Sequence, residues 1–299
     1  VPNDHGKGRP LAHFVSGGFF CVLAAAEDKM TDDHPLASYR INRKPYYRPV
    51  GSEVAIFEAA HADRIPLMLK GPTGCGKTRF IEHMAHRLGK PLVTVACHED
   101  MTASDLVGRF LLDVDGTVWQ DGPLTLAVRY GAILYLDEIV EARQDTTVVI
   151  HPLSDDRRVL PIEKRNEIIL AHPDFHLIVS YNPGYQSAVK DLKESTKQRF
   201  AALDFDYPDP ETEAEIVAHE TGIAPGLARL VVEIGLRSRN LRGHGLDEGA
   251  STRMLIQACR LIGRGIPVRE ACRIALVVPV TDDTDMRAAL SRAIEACIG

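Results

Sequence analysis

From about Tyr46 to Tyr207 the chain alternates short apolar runs with amphipathic stretches. PLMLKG predicts a buried strand, TRFIEHMAHRLG an amphipathic helix closed by Gly89, and PLVTVACH a second strand. AILYLDEI, FHLIVSYN and AALDFDY predict three more strands. The text between them is helical in period: LTLAVRYG, the residues after Glu141 and those before Phe200. Strand-like runs separated by helices imply βαβ units around a parallel sheet.

Two stretches break the alternation. RFLLDVDGTVW carries Asp115-Gly116 between apolar flanks, a strong hairpin signal. RRVLPIEKRNEIIL predicts a second hairpin turning around Lys164 to Asn166. After Pro208 the strand signal stops. Glu211 to Glu220, Ala224 to Asn240, Ser251 to Gly263, Pro267 to Val278 and Asp282 to Cys297 all have the helical pattern, punctuated by Gly and Pro. The expected architecture is an α/β core over residues 39–207, a helical lid domain over 208–299 and a disordered extension over 1–38. Within that extension Leu11 to Ala26 is apolar but broken by His13, Ser16, Gly17 and Gly18. It reads as part of the extension rather than as an export signal, with Met30 as the natural start.

Composition changes this picture little. The net charge is −6, without the basic excess that phosphate contacts with nucleic acid require. No run is long enough to span a membrane, so no membrane insertion is expected. The six cysteines form no C-x-x-C pair, which fits neither a zinc site nor a disulfide framework and suits a reducing, cytoplasmic setting. His83 and His86 lie three apart on one helix but have no third ligand, so they read as surface or packing residues.

The chemistry starts at Gly71–Thr78, GPTGCGKT, which matches G-x-x-x-x-G-K-[ST] in full. Gly71, Pro72, Thr73, Gly74, Cys75 and Gly76 form a turn whose backbone N–H groups close around phosphates. Lys77 brings a charge to the β- and γ-phosphates, Thr78 offers a hydroxyl to Mg²⁺, and Arg79 continues the cofactor-binding run into the helix. Cys75, beside Lys77 and a helix start, is expected to have a lowered pKa, so that thiol reagents would block nucleotide binding. AILYLDEI delivers Asp137 and Glu138 to the end of a buried strand: Asp137 for Mg²⁺, Glu138 to polarise an attacking water. A kinase acting on a small molecule would not need that second carboxylate, and the N-K-x-D guanine reader is absent. ATP hydrolysis is therefore expected. Asn182, at the end of the fourth strand, would stand beside the γ-phosphate and orient the water.

A P-loop, a D-E strand, a polar strand end, KESTKQRF and a helical lid together resemble the AAA+ ATPases, and the hairpins with the late ASTR resemble their MoxR branch. GPTGCGKTRF, VACHEDMTASDLVG, VWQDGPL, YLDEIVEARQDTTVVIHPL, DDRRVLPIEK and SYNPGYQS are similar to the CbbQ/NorQ family, over about Tyr39 to the C-terminus. The resemblance implies an AAA+ core with a five-stranded parallel sheet and two hairpin insertions. It implies Asn182 as sensor 1, Arg199 as an arginine finger reaching a neighbour's ATP, with Lys197 the competing candidate, and Arg253 as sensor 2. It further implies a cytoplasmic homo-hexamer, a CbbO-like partner bearing a von Willebrand factor A domain, and Rubisco as client, freed of inhibitory sugar phosphates. Nitric oxide reductase maturation is the alternative client. A nucleotide-switched scaffold and a DNA-dependent motor are the readings from other classes; the intact Asp137, Glu138 and Arg199 oppose the first and the acidic balance the second. The two hairpins are the candidates for pore-facing and partner-facing elements, and Trp119 is expected to pack the first one onto the core.

Overall fold

The computed structural model describes residues 34–114, 116–183, 192–243, 246 and 248–298. The stretch Leu11 to Ala26, Met30, Cys21 and Asp115 lie outside the described residues.

The helix α1 (Glu53–Ala62) leads into strand β1 (Leu67–Lys70), helix α2 (Lys77–Leu88) and strand β2 (Leu92–Ala96). A short α3 (Ala103–Val107) precedes the first hairpin, β3 (Gly108–Asp113) and β4 (Gly116–Asp121). Then follow α4 (Pro123–Tyr130), β5 (Ile133–Asp137) and α5 (Gln144–Val148). The second hairpin is β6 (Val159–Ile162) and β7 (Glu167–Leu170), and β8 (His176–Tyr181), α6 (Glu194–Lys197) and β9 (Ala201–Asp204) complete this part. β2, β5, β8, β1 and β9 pair in that order, all parallel, as the five-strand expectation has it.

Strand periodicity divides the core into two layers, because successive side chains leave opposite faces of a sheet. Leu67, Leu69, Ile133, Tyr135 and Ile178 pack under α1 and α2 with Phe57, Phe80, Ile81 and Met84. The alternating residues Met68, Leu134, Leu136, Leu177 and Val179 pack on the other face with Leu124, Ala127 and Val128 of α4. Leu36 is fully buried in that second layer. Tyr39, the last residue of the 3-10 turn Ala37–Tyr39, packs against the same layer, and residues 1–33 of the expected extension lie outside the described residues.

The first ladder closes on the pair Asp113 and Gly116. The second turns through Glu163–Arg165 with Asn166 left-handed at φ 49°, as the sequence indicates. Trp119 is half-buried, packs on the sheet core, and donates from Nε1 to Asp121 at 2.7 Å. The Arg165 guanidinium lies 5.8 Å from its ring, and Arg129 bridges Asp121 of β4 and Glu167 of β7. The two hairpins are thus tied to each other as well as to the core.

The helical part consists of α7 (Pro210–Thr221), α8 (Pro225–Arg239), α9 (Thr252–Gly263), α10 (Val268–Cys272) and α11 (Thr284–Ile298). It has its own core around Val217, Val231, Val232, Leu255, Leu276 and Leu290. The single helix expected over Pro267 to Val278 is instead α10 followed by one π-helical turn, Arg273–Val277. The wider turn keeps Ala275, Leu276 and Val277 all buried. Glu213 of α7, with no exposed surface, receives Arg239 at both carboxylate oxygens (2.7 and 2.8 Å) and the Thr252 hydroxyl. This one buried carboxylate fastens α7, α8 and α9 together.

Candidate active site

The carboxyl ends of β1, β5 and β8 open toward the helical part, and a cavity of about 820 Å³ lies there. Such a crevice beyond the strand ends is where open α/β sheets bind ligands. Its floor is the loop Gly71–Gly76. Gly74 (φ 72°) and Gly76 (φ 107°) hold backbone angles that side-chain-bearing residues rarely adopt, and a Cβ on Gly74 would fall 2.8 Å from Ser251. Thr73 through Arg79 all line the cavity; Gly71 and Pro72 do so indirectly, their carbonyls accepting from Lys77 Nζ at 2.7 and 2.9 Å. Gly76 precedes α2, whose N-terminal N–H groups face the same space. Arg79 extends across to Glu220 of α7 at 3.7 Å.

Asp137 ends β5 and Glu138 follows it into the cavity. The Tyr135 phenol donates to Asp137 Oδ1 at 2.7 Å, and Ser180 donates to the same oxygen. The Ser180 oxygen also accepts from the backbone N–H of Glu138 at 3.1 Å. Glu138 is left-handed (φ 55°, ψ 48°), so this bond holds a strained residue whose carboxylate is exposed to the cavity. Burial, then the Asp137 charge, drives the Tyr135 phenol well above its ordinary value, so it stays a donor. Thr78 also contacts that phenol. Asn182 reaches the loop, donating from Nδ2 to Thr73 Oγ1 at 3.2 Å. Arg253 stands at the start of α9, beside the Ser251 cap, and is exposed on the cavity wall.

Arg199 is placed differently. It is not among the residues lining its own chain's cavity. Its guanidinium pairs with Asp155 at 2.8 Å, and Asp155 is shared with Arg157 at 2.7 Å. Hydrogen bonds from Arg157, and then from Arg199, hold the Asp155 carboxyl far below the usual carboxylate range. Lys197, the competitor, pairs with Glu194 at 3.1 Å.

One expectation is overturned. Cys75 is buried, and burial raises its thiol pKa although Lys77 pulls the other way. Desolvation outweighs the nearby charge, so the thiol is shielded rather than activated. His83 is buried against Tyr47 and His98 is exposed. Among the described residues no group of three metal-ligating side chains of the His/Cys/Asp/Glu type gathers, and no helix is long and apolar enough to cross a membrane.

Several site residues escape sequence reasoning. Tyr46, Tyr47, Val50 and Gly51 form one wall. Glu53 arranges that wall by accepting from the Tyr47 phenol (2.9 Å) and from the N–H groups of Val50 (2.9 Å) and Gly51 (2.8 Å). Tyr207 donates to the Thr73 carbonyl at 3.1 Å, and Gln257 and Arg260 of α9 close the far side. The tyrosine pair and the Tyr207-Pro208 boundary were visible as text, but nothing local marks them as a nucleotide wall.

Comparison with known proteins agrees with this fold. Residues 66–200 match the model for the AAA domain (dynein-related subfamily), and residues 213–297 that for the CbbQ/NirQ/NorQ C-terminal region. The chain is 66% identical to Protein CbbQ of Hydrogenophilus thermoluteolus over 86% of this chain and 96% of that one. It is 58% identical to the denitrification regulatory protein NirQ of Pseudomonas aeruginosa (82% and 95% covered) and 54% identical to Protein NorQ of Paracoccus denitrificans (85% and 94%). A solved RuvB mutant of Thermotoga maritima shares the fold with a TM-score of 0.50 at 17% identity, over 84% of this chain and 73% of that one.

Proposed function

Because the chain belongs to the CbbQ/NirQ/NorQ family of AAA+ ATPases, we propose that it is a motor whose ATP hydrolysis remodels a client enzyme, and that the client is Rubisco. The observation that carries the client is the contrast in identity, 66% to CbbQ against 58% to NirQ and 54% to NorQ, with nearly full coverage in each case. The reading includes a homo-hexamer and a partner with a von Willebrand factor A domain that recruits Rubisco. It is a cytoplasmic activity, since both ATP and the client belong there.

The roles follow from the cavity. Lys77 and the N–H groups of the loop and α2 bind the β- and γ-phosphates. Thr78 and Asp137 would hold Mg²⁺: both are hard oxygen donors, both line the cavity, and both contact the Tyr135 phenol. The ion would neutralise charge developing on the phosphate oxygens. Glu138 accepts the proton of the attacking water, Asn182 orients that water and the terminal phosphate, and Arg253 contacts the same phosphate from the lid. Arg199 acts on the neighbouring subunit's nucleotide, which its position outside its own cavity supports. The exposed hairpin side chains Leu112, Val114, Ile168 and Leu170 (92%, 98%, 73% and 72% exposed) suit elements that meet another protein.

The test mixes Rubisco inhibited by its own sugar phosphate with this protein, its von Willebrand partner and ATP, and follows carboxylation. Recovery that requires ATP and is lost in Glu138→Gln is the expected result. Intact turnover and partner binding without recovery would refute Rubisco as client and move the client to nitric oxide reductase or another metalloenzyme.

A further inference from the structure

Asn182 sits between two acceptors. Its Nδ2 donates to Thr73 Oγ1 in the phosphate loop at 3.2 Å and to Glu248 Oε1, in the connection from α8 to α9, at 2.5 Å. A carboxylate only accepts, so the amino end of the amide must face Glu248.

The place of Glu248 is fixed by its neighbours. Gly249 lies so close to Arg239 that a Cβ there would stand 2.5 Å from the Arg239 Cα. The Ala250 N–H donates to Ser238 Oγ at 2.8 Å, and Arg239 Nε donates to the Ala250 carbonyl at 2.7 Å. Arg239 in turn lies 3.8 Å over the Tyr207 ring, and Tyr207 returns to the Thr73 carbonyl at 3.1 Å. Thr73, Asn182, the segment Glu248 to Ala250, Arg239 and Tyr207 therefore close a circuit between the phosphate loop and the lid.

An amide NH₂ has two hydrogens, and Thr73 and Glu248 accept them. A phosphate oxygen that accepts from Nδ2 has to displace one of these acceptors. Glu248 is the anion of the two, and like charges at contact distance repel, so the phosphate displaces Glu248 rather than the neutral Thr73 hydroxyl. ADP ends one phosphate short and leaves the Glu248 bond intact.

We propose that Glu248 is a specificity-determining residue: it competes with the terminal phosphate of ATP for Asn182 and so lowers the preference of the site for ATP over ADP. This rests on the reading of Asn182 as a contact of the terminal phosphate. ATP engages Asn182 only by displacing a residue of the lid connection, whereas ADP does not disturb it.

Calorimetry on the full chain with Mg²⁺ tests this, using ADP and the β,γ-imido analogue of ATP. Glu248→Ala tightens the analogue about tenfold, at the low end of what a hydrogen bond to a charged group contributes, and leaves ADP within about twofold. Glu248→Gln, which keeps the acceptor and removes the charge, gives a smaller shift in the same direction. In the Asn182→Ala background the Glu248→Ala effect on the analogue vanishes. Equal tightening of both nucleotides, no change, or weaker analogue binding would overturn the proposal. The underlying reading fails separately: it falls if Asn182→Ala by itself leaves the ratio of analogue to ADP affinity unchanged. Because the readout is a ratio within one protein, partial loss of folded chain does not imitate the expected result; if Glu248→Ala does not fold, Glu248→Gln carries the test.

Discussion

Ser180→Ala removes a hydroxyl that has two tasks. It donates to the Asp137 carboxylate and accepts the backbone N–H of Glu138, the residue held at φ 55°. Loss of the first bond costs about 1.5–3 kcal/mol, because the acceptor is charged. Loss of the second leaves a backbone donor unsatisfied and releases about 1–2 kcal/mol of left-handed strain by letting Glu138 rotate away. Neither bond touches the β-phosphate loop, so the loss falls on the hydrolytic geometry and not on nucleotide affinity. If about 1.5–3 kcal/mol is lost from the transition state alone, kcat falls between roughly tenfold and 150-fold, with KM for ATP within about threefold. A coupled ATPase assay across ATP and Mg²⁺ concentrations reads this, and the Mg²⁺ concentration for half-maximal rate rises because Asp137 is no longer oriented. Ser180→Thr retains the hydroxyl and retains most of the rate. An unchanged kcat, or a loss confined to KM, would refute the claim that Ser180 positions the two acidic residues.

Arg199→Ala keeps ATP binding but loses turnover by about 10³–10⁵, the range of a trans-acting arginine; mixing it with Glu138→Gln subunits restores part of the activity, and failure of both observations would remove Arg199 from the neighbour's site. Glu213→Ala strands Arg239 in a buried position and destabilises the helical part by about 3–5 kcal/mol, seen as a lower denaturant midpoint. His176 is pushed down to about 4 by burial while its Nε2 meets the Ile65 carbonyl at 2.8 Å. Its folded value lies below the unfolded one near 6.5, so its contribution is complete above that value. The contribution is lost as pH falls toward 4, on the order of 3 kcal/mol in all; His176→Gln flattens the acid side of a stability-versus-pH curve.

What could be read from the chain and what could not separate by the range of the interaction. GPTGCGKT, the D-E pair and the alternation of apolar runs are local, and the five parallel strands, both hairpins and the cavity floor follow from them. The helix α1, the wall at Tyr46 and Tyr47, and Ser180 have no such signature, because each acquires its role only when β8 lies between β5 and β1 or when residues near 50 fold over α2. Cys75 departs from expectation for the same reason: its neighbours in sequence, Lys77 and a helix start, favour a low pKa, whereas its neighbours in space bury it. The π-helical turn at Arg273–Val277 likewise answers to the packing of Ala275, Leu276 and Val277, not to propensity.

That division has a mechanical sense. Of the residues legible from sequence, Lys77 and Thr78 open α2, Asp137 ends β5 and Glu138 follows it, all held by short-range backbone geometry, while Arg253 stands on the lid. The residues that complete the cavity from the other side, Arg253, Gln257, Arg260 and, through Asn182, Glu248, belong to a body with its own core. Fixing the phosphates therefore requires little of the lid, whereas reading how many phosphates are present requires contact with it. On the proposed reading, a site divided in this way converts the loss of one phosphate into a change in the contacts between two packed bodies, because the loop would hold ADP and ATP alike while Asn182 would exchange Glu248 for phosphate only with ATP. Glu213 and Arg239 join α7, α8 and α9 at one buried point, so on the same reading a displacement at Glu248 would bear on the helical body as a unit rather than on one connection.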